Sequence, residues 1–179
     1  SAASDVYKRQ LLTDALIVLQ ADAPEGQVFS KWNDGKADNP RIVTAADASQ
    51  LFPLFLPKTG QGAVCVKLPV LAGAGMGAVN VNAAAVTEGE SVQLKLVVLP
   101  SYSQSSVKVF ANGKELDATL SLRASSETKT LFYTLSGLSE DVDVEVSGLK
   151  QNEYVVSLEQ QDGGIVRASQ VGMVKHGTI

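Results

Sequence analysis

Two residues with reactive side chains stand alone in this sequence. Cys65 is the single cysteine and His176 the single histidine among 179 residues. Catalysis by a thiolate–imidazolium pair requires the two within hydrogen-bond reach of each other. One cysteine cannot form an internal disulfide, and one histidine leaves little scope for a zinc site or a Ser-His-Asp triad. We therefore predict that the chain is not an enzyme.

Two groups of oxygen-bearing residues could in principle bind calcium. The first is Asp34, Asp38 and Asn39, and the second comprises alternate positions of one strand: Asp141, Asp143 and Glu145. Neither group has the spacing of an EF-hand loop. We therefore interpret the first as a solvated turn and the second as a solvated strand face, and we predict no bound metal.

Trp32, the only tryptophan, has two interpretations: a core aromatic, or a platform on which a sugar ring stacks. Phe29 lies three residues away, so in a regular strand the two rings point to opposite faces and cannot form one flat platform. The sequence favours the core role for Trp32. Tyr102 and Tyr133 are likewise expected to be structural.

A glycine-rich stretch satisfies the pattern G-x-G-x-x-A, which in dinucleotide-binding proteins holds a pyrophosphate at the start of a helix. It spans Gly73 to Ala78. Pro69 interrupts the preceding strand, and residues 79–82 alternate as a strand rather than a helix. A flexible turn is the favoured interpretation, so we predict no cofactor.

Composition narrows the class of protein further. Leu, Ile, Val and Phe account for 52 residues, enough to build cores, and the net charge is −4. A chain with this charge presents no basic stripe to a phosphate backbone, so no nucleic-acid partner is expected. No apolar run approaches the roughly 18 residues that cross a bilayer, so no membrane-spanning segment is expected.

The first part of the chain combines short apolar stretches with turn residues. Asp34-Gly35 and Asn39-Pro40 are turn signals, with strands expected at 27–32 and 41–44. Residues 45–51 are rich in alanine and could form a helical turn instead. Residues 58–62 have no apolar side chain to pack and are the best candidate for a linker.

Later segments carry clearer strand signals. Apolar and polar residues alternate along 92–98 and again along 142–146, the period of a strand with one buried face. Asn112-Gly113 lies between alternating apolar residues, including Leu116, Leu120 and Leu122, which predicts a hairpin. Several short strands separated by turns are typical of a β-sandwich.

The sequence also repeats itself. The residues Val66, Gly77, Val86 and Gly89 recur as Val156, Gly164, Val174 and Gly177, at a spacing of 87 to 90 residues. Such a period suggests a tandem array. His176 aligns with Glu88 in this comparison, which indicates a surface turn rather than a conserved chemical role.

Residues 23–47 resemble the second half of a divergent internalin-type B repeat, a small β module of bacterial surface proteins. The resemblance rests on a Pro-x-Gly turn, an aromatic residue, a tryptophan, an Asp-Gly turn and an apolar close. These residues are Pro24, Gly26, Phe29, Trp32, Asp34, Gly35, Asn39, Pro40, Val43 and Phe55. The resemblance implies that Trp32, Asp34 and Gly35 are structural.

Residues 77–154 resemble the Ig-like repeats that accompany such modules. The similarity lies in residues 88–105, 107–116 and 132–146 and in the closing Asn152-x-Tyr154. It implies a non-catalytic Ig-like sandwich in which Asn112, Gly113 and Tyr154 have structural roles.

Together these observations predict an all-β chain in which an Ig-like β-sandwich follows a partial, small β-sheet module. We expect a non-native end at 1–10, a partial internalin-type repeat at 11–60, the sandwich at 61–154 and the start of a further repeat at 155–179. The expected function is that of a structural or adhesive module of a bacterial cell-surface or secreted protein. It would act outside the cell, with a surface protein or glycan as partner.

Two other functions stay open on the sequence. The chain could be a carbohydrate-binding accessory module of a secreted glycoside hydrolase, which would need exposed coplanar aromatic rings. The third alternative is a fragment of a dinucleotide-binding enzyme, which would depend on the glycine-rich stretch.

The substitutions Cys65→Ala and His176→Ala should leave the metal content and the hydrolytic activity of the purified chain unchanged, because neither residue is expected to belong to a reactive site. Elemental analysis and a panel of chromogenic ester and glycoside substrates would measure this. A loss of either property in one variant would show that its side chain serves a site.

Overall fold

The structure is a computed structural model that describes residues 14–58, 62–71, 76–124, 127–158, 165 and 167–177. Strands dominate these residues, which confirms the predicted all-β class. The predicted non-native end at 1–10 and most of the candidate linker at 58–62 lie outside them. None of the helices in this part of the chain has the length and apolar character needed to cross a membrane.

Fifteen strands and one short helix, α1 (Ala45–Ala48), make up the regular structure of the described ranges. In chain order the strands are β1 (Leu16–Leu19), β2 (Gln27–Trp32), β3 (Arg41–Thr44), β4 (Pro53–Pro57), β5 (Ala63–Lys67), β6 (Gly77–Val81), β7 (Ala85–Thr87), β8 (Val92–Val98), β9 (Lys108–Ala111), β10 (Lys114–Leu116), β11 (Leu120–Arg123), β12 (Lys129–Leu135), β13 (Val142–Ser147), β14 (Glu153–Val156) and β15 (Gly172–Lys175). A 3₁₀ turn covers Pro100–Tyr102.

The sequence left the secondary structure of residues 45–51 open, and in the structure this segment begins with the helix α1. It begins after Thr44, whose hydroxyl oxygen accepts a hydrogen bond from the Asp47 N–H at 3.1 Å. A threonine in this position satisfies one of the free N–H groups at the start of a helix. None of the four helical residues is buried, and at the end of the helix the Ser49 hydroxyl donates to the Ala46 carbonyl at 2.7 Å.

The chain divides into two compact units, residues 1–68, 80–94 and 134–143 in the first and residues 69–79, 95–133 and 144–179 in the second. The predicted modules at 11–60, 61–154 and 155–179 follow sequence resemblance rather than this division. They stay predictions.

The first unit contains three antiparallel pairs, β1·β3, β2·β4 and β5·β7. The start of β13 adds a parallel pairing, in which Val142 lies opposite Val66. Both edges of β5 are therefore occupied, one by β7 and one by β13. Parallel pairing of strands so distant in sequence depends on the chain returning to the same place, which no local pattern specifies.

In the second unit β9 and β10 form the hairpin predicted at Asn112-Gly113. Both turn residues have positive φ, 47° and 77°, as a two-residue hairpin turn of this kind requires. The unit also contains the pairs β9·β13, β11·β12 and β14·β15.

The larger sheets have the strand orders β10-β9-β13-β5-β7 and β11-β12-β8-β6. Burial along β8 alternates as predicted: Val92, Leu94, Leu96 and Val98 are buried, while Gln93 and Lys95 are exposed. Apolar alternation does not guarantee burial, however. Leu120 and Leu122 of β11 are both about half exposed.

Glycine is required where β6 begins. Gly77 has φ 138°, and a Cβ atom there would collide with the backbone carbonyl of Val97. Gly113 also has a positive φ, 77°, but open space surrounds its Cβ position. The two residues therefore differ both in backbone angle and in the space around the Cβ position.

Gly113→Ala should lower the free energy of unfolding by roughly 1–2 kcal/mol, the cost of a left-handed alanine. Gly77→Ala should cost about 1–3 kcal/mol more, because the carbonyl of Val97 must shift. Denaturant unfolding followed by circular dichroism would measure both. Equal losses in the two variants would show that the approach of the Val97 carbonyl imposes no constraint.

Candidate functional site

Trp32 lies in the core of the first unit with 2% of its surface exposed. Its indole Nε1–H donates to the backbone oxygen of Asp38 at 2.8 Å, so the polar edge of the ring is satisfied. The Arg41 guanidinium lies 5.9 Å from the ring centroid, within the range of a cation–π contact. The predicted core role of Trp32 is confirmed, and a buried indole offers no face to a sugar.

The expectation that Phe29 and Trp32 point to opposite faces is wrong. A register shift between Phe29 and Lys31 marks a β-bulge, in which one extra residue reverses the alternation. The two rings therefore meet edge to face, with centroids 5.7 Å apart and planes at 62°. They still form no flat platform, but the reason is the angle between them rather than their direction.

Asp34 and Arg41 form an ion pair beside Trp32, in which the one nitrogen Arg41 Nη1 donates to both carboxylate oxygens, at 2.9 and 3.0 Å. Gly35, with φ 83°, makes the turn that follows. Burial by itself would raise the pKa of Asp34, but the Lys36 N–H and the Arg41 guanidinium outweigh it. The pKa of this carboxyl is therefore lowered.

A polar cleft of about 380 Å³ adjoins this ion pair. Asn33 organises one wall, because its amide donates to the Gln50 carbonyl at 3.0 Å and accepts from the Phe52 N–H at 3.0 Å. The lining side chains carry charges of both signs: Asp34, Lys36, Arg41 and Asp47. Asp34 binds the Arg41 side chain and the Lys36 backbone N–H, and Asp47 accepts from the Thr44 hydroxyl at 2.8 Å, so both carboxylates of the cleft already make contacts within the module.

The structure does not bring together the candidate oxygen ligands, which the sequence analysis interprets as a solvated turn and a solvated strand face. Asp34 is committed to Arg41, and the Asn39 side chain exchanges two hydrogen bonds with the backbone of Ala21, at 2.9 and 2.7 Å. In the second group, Asp141 accepts from the Cys65 N–H at 2.8 Å and Asp143 lies 3.5 Å from Lys67. Within the described ranges no cluster of three or more His, Cys, Asp or Glu side chains is placed to hold a metal ion.

Cys65 and His176 have separate surroundings. Burial and, second, the charge of Asp141 raise the pKa of the Cys65 thiol more than Lys58 lowers it, which favours the protonated, less nucleophilic form. The imidazole Nδ1 of His176 lies 3.4 Å from the Tyr154 hydroxyl, and its backbone N–H donates to the Asn152 carbonyl at 2.8 Å.

The glycine-rich stretch does not begin a helix. Gly73 to Gly75 lie outside the described residues, and the chain from Gly77 to Val81 forms strand β6. A pyrophosphate-binding turn requires a helix at this point, with its N-terminal N–H groups directed at the ligand. The segment provides a strand instead.

Asn152 is buried, and its side chain makes several hydrogen bonds. The sequence analysis identifies this residue only as part of the Asn152-x-Tyr154 motif and predicts no such role for it. Its side-chain amide donates to the Pro100 carbonyl at 2.8 Å, and its oxygen accepts from the Gln104 N–H at 3.1 Å. Its amide nitrogen is also 3.3 Å from the hydroxyl of Tyr154. These contacts attach the start of β14 to the 3₁₀ turn. The ring of Tyr154 is partly exposed, and its hydroxyl contributes to this structural contact.

The repeated sequence motif corresponds to a repeated strand pair. In β5·β7, Val64 lies opposite Val86, and in β14·β15, Tyr154 lies opposite Val174. Tyr154 stands 90 positions after Val64, and Val174 stands 88 positions after Val86, as in the sequence repeat. Both pairs end in a turn with a positive-φ glycine, Gly89 or Gly177.

The two pairs differ in how much of their surface is covered. Ala85 of β7 is fully buried, and Cys65 opposite it is partly buried. The corresponding residues of the second pair, Met173 and Val155, are 65% and 73% exposed. The second strand pair therefore has the same register as the first, but its side chains at these positions are exposed to solvent instead of buried.

Comparison of the chain with protein-family models, with curated proteins and with solved structures finds no match.

Asp34→Asn should lower the free energy of unfolding at pH 7 by up to about 1 kcal/mol, a modest value because the ion pair is partly exposed. A lowered folded-state pKa stabilises the protein above the ordinary carboxyl value of 3.8. That stabilisation is lost as the pH falls through the folded value. The difference between variant and wild type should therefore shrink below about pH 4.

Urea unfolding followed by the fluorescence of Trp32, between pH 7 and pH 2.5, would measure this. Asp117→Asn is the matched control, since Asp117 is an exposed carboxylate in the stretch between β10 and β11. A gap between Asp34→Asn and wild type that stays constant over the whole pH range would contradict the proposed role of Arg41.

Proposed function

We propose that the chain is a non-catalytic structural or adhesive segment of a bacterial cell-surface or secreted protein. It acts outside the cell, by extending or presenting other parts of that protein. The observation that carries the proposal is the repeated strand pair, β5·β7 and β14·β15, which has one register at a spacing of 88 to 90 residues. Tandem modules of this kind extend a protein and enlarge its surface by repeating one fold.

The first module also supports this proposal. Its core is small and depends on Trp32, which is fixed by a hydrogen bond from its ring nitrogen and by the flanking Arg41. Asp34 and Gly35 supply the turn and the ion pair beside it. These residues carry the resemblance to internalin-type B repeats, and each serves the fold of the module.

The partner in this proposal is a surface protein or a glycan, bound through turns and exposed strand faces rather than through an enclosed pocket. Rigid strands that carry variable loops are a common arrangement for such binding. The accessory carbohydrate-binding function has less support, because Trp32 is buried and its ring meets Phe29 at 62°.

An antibody raised against the purified chain should label intact cells that produce the protein, or their culture medium, before the cells are made permeable. A cytoplasmic enzyme detected in the same samples controls for leakage. Labelling that appears only after permeabilisation would overturn the proposal. Sedimentation of the chain with insoluble polysaccharide, at an affinity unchanged in Trp32→Phe, would favour the accessory-module function through other residues.

A further inference from the structure

The strand pair β14·β15 has the pairing of β5·β7 but lacks one of its neighbours. In the first pair, β13 occupies the second edge of β5, with Val142 opposite Val66 and Asp143 opposite Lys67. In the second pair, β15 is the only strand that pairs with β14 within the described ranges. A two-stranded ribbon is marginally stable by itself, and pairing with a third strand stabilises it.

Hydrogen bonds identify the edge of β14 at which a third strand would pair. Opposite residues of an antiparallel pair alternate between those that exchange two hydrogen bonds and those that exchange none. The pair Cys65–Ala85 is of the second kind, because the Cys65 N–H donates to Asp141 and the Ala85 carbonyl accepts from the Ser30 hydroxyl, at 2.8 and 2.6 Å.

The same register places Val155 opposite Met173. The backbone polar groups of Val155 therefore point away from β15, as those of Cys65 point away from β7. Val155 occupies the position at which β5 meets the segment that leads into β13.

We propose that the outer edge of β14 is an acceptor for one more strand, which pairs parallel to it at Val156 and Ser157, the positions that correspond to Val66 and Lys67 of β5. The occupant is a β13-type strand, with alternating aliphatic and acidic residues, supplied by a further repeat of the same kind. The chain itself contains the template for this pairing in β5 and β13. The inference rests on the proposed repeat architecture and names the partner of its second copy.

The test uses the full chain and a synthetic peptide with the sequence of residues 139–147, which contains β13. Isothermal titration should show saturable binding at peptide concentrations below about 1 mM, the weak range expected for one short strand. A peptide of the same composition in scrambled order, without alternation, should not bind. Because β13 already occupies the edge of β5, the peptide should bind a single site.

Two proline variants locate the edge. Val155→Pro removes the outward N–H of β14 and should weaken peptide binding about fivefold or more, the effect of one lost hydrogen bond. Met173→Pro removes the outward N–H of β15 and is the matched control, with an expected change of less than about twofold. Equal weakening in both variants would overturn the assignment of the edge.

Amide hydrogen exchange of the wild-type chain provides a measurement that does not depend on either variant folding. Saturating peptide should slow exchange at Val155 and Ser157 and leave Met173 unchanged. No binding up to 1 mM, or slowed exchange only at Met173, would overturn the proposal. A chain that forms dimers sensitive to Val155→Pro, and that does not take up the peptide, would show instead that a second copy occupies the edge.

These outcomes are distinguishable from a failure of the proposed function. Failure of the peptide to bind would leave the extracellular labelling experiment unaffected. Labelling confined to the cytoplasm would leave the strand pairing intact.

Discussion

The pairing of strand edges is the constraint on which this structure depends. Each strand has N–H and C=O groups along two edges, and every edge must meet a partner or stay in water. β5 meets this requirement fully, through β7 on one side and β13 on the other. The outward carbonyl of Ala85 on β7 is in turn satisfied by the hydroxyl of Ser30. Burial of side chains is a separate matter, since Ala85 of β7 is fully buried and Met173, at the same register position of β15, is 65% exposed.

A second constraint is the small number of buried apolar side chains in the first module, which among its described residues are Ala21, Trp32 and Val43. Trp32 supplies much of its core, and its position depends on contacts of three different kinds: a hydrogen bond to Asp38, the edge of Phe29 and the guanidinium of Arg41. Arg41 is held in turn by Asp34, so the charged turn and the apolar core stabilise each other. The charged groups around the adjacent cleft therefore serve the fold of the module, and a ligand would have to compete with these contacts.

In the proposed function, a chain with dispersed reactive groups acts through its repeated strand pair. A tandem protein acts through the number, spacing and surfaces of its modules, so each module needs only a reproducible fold. The two pairs preserve the register and the terminal positive-φ glycine while their side chains change, from Val64 to Tyr154 and from Cys65 to Val155. Backbone pairing tolerates such changes because its hydrogen bonds do not involve the side chains.

The local features of this protein could be predicted from neighbouring residues in the sequence. Alternation predicted the buried face of β8, and Asn112-Gly113 predicted the hairpin between β9 and β10, because side-chain direction and turn conformation depend on neighbouring residues alone. Which strands pair and which faces are covered could not be predicted in this way. The bulge between Phe29 and Lys31, the parallel pairing of Val66 with Val142 and the hydrogen bonds of Asn152 all depend on chain segments brought together by folding. Leu120 and Leu122 alternate like core residues and are half exposed, because a periodic pattern specifies the direction of a side chain but not the partner that would bury it.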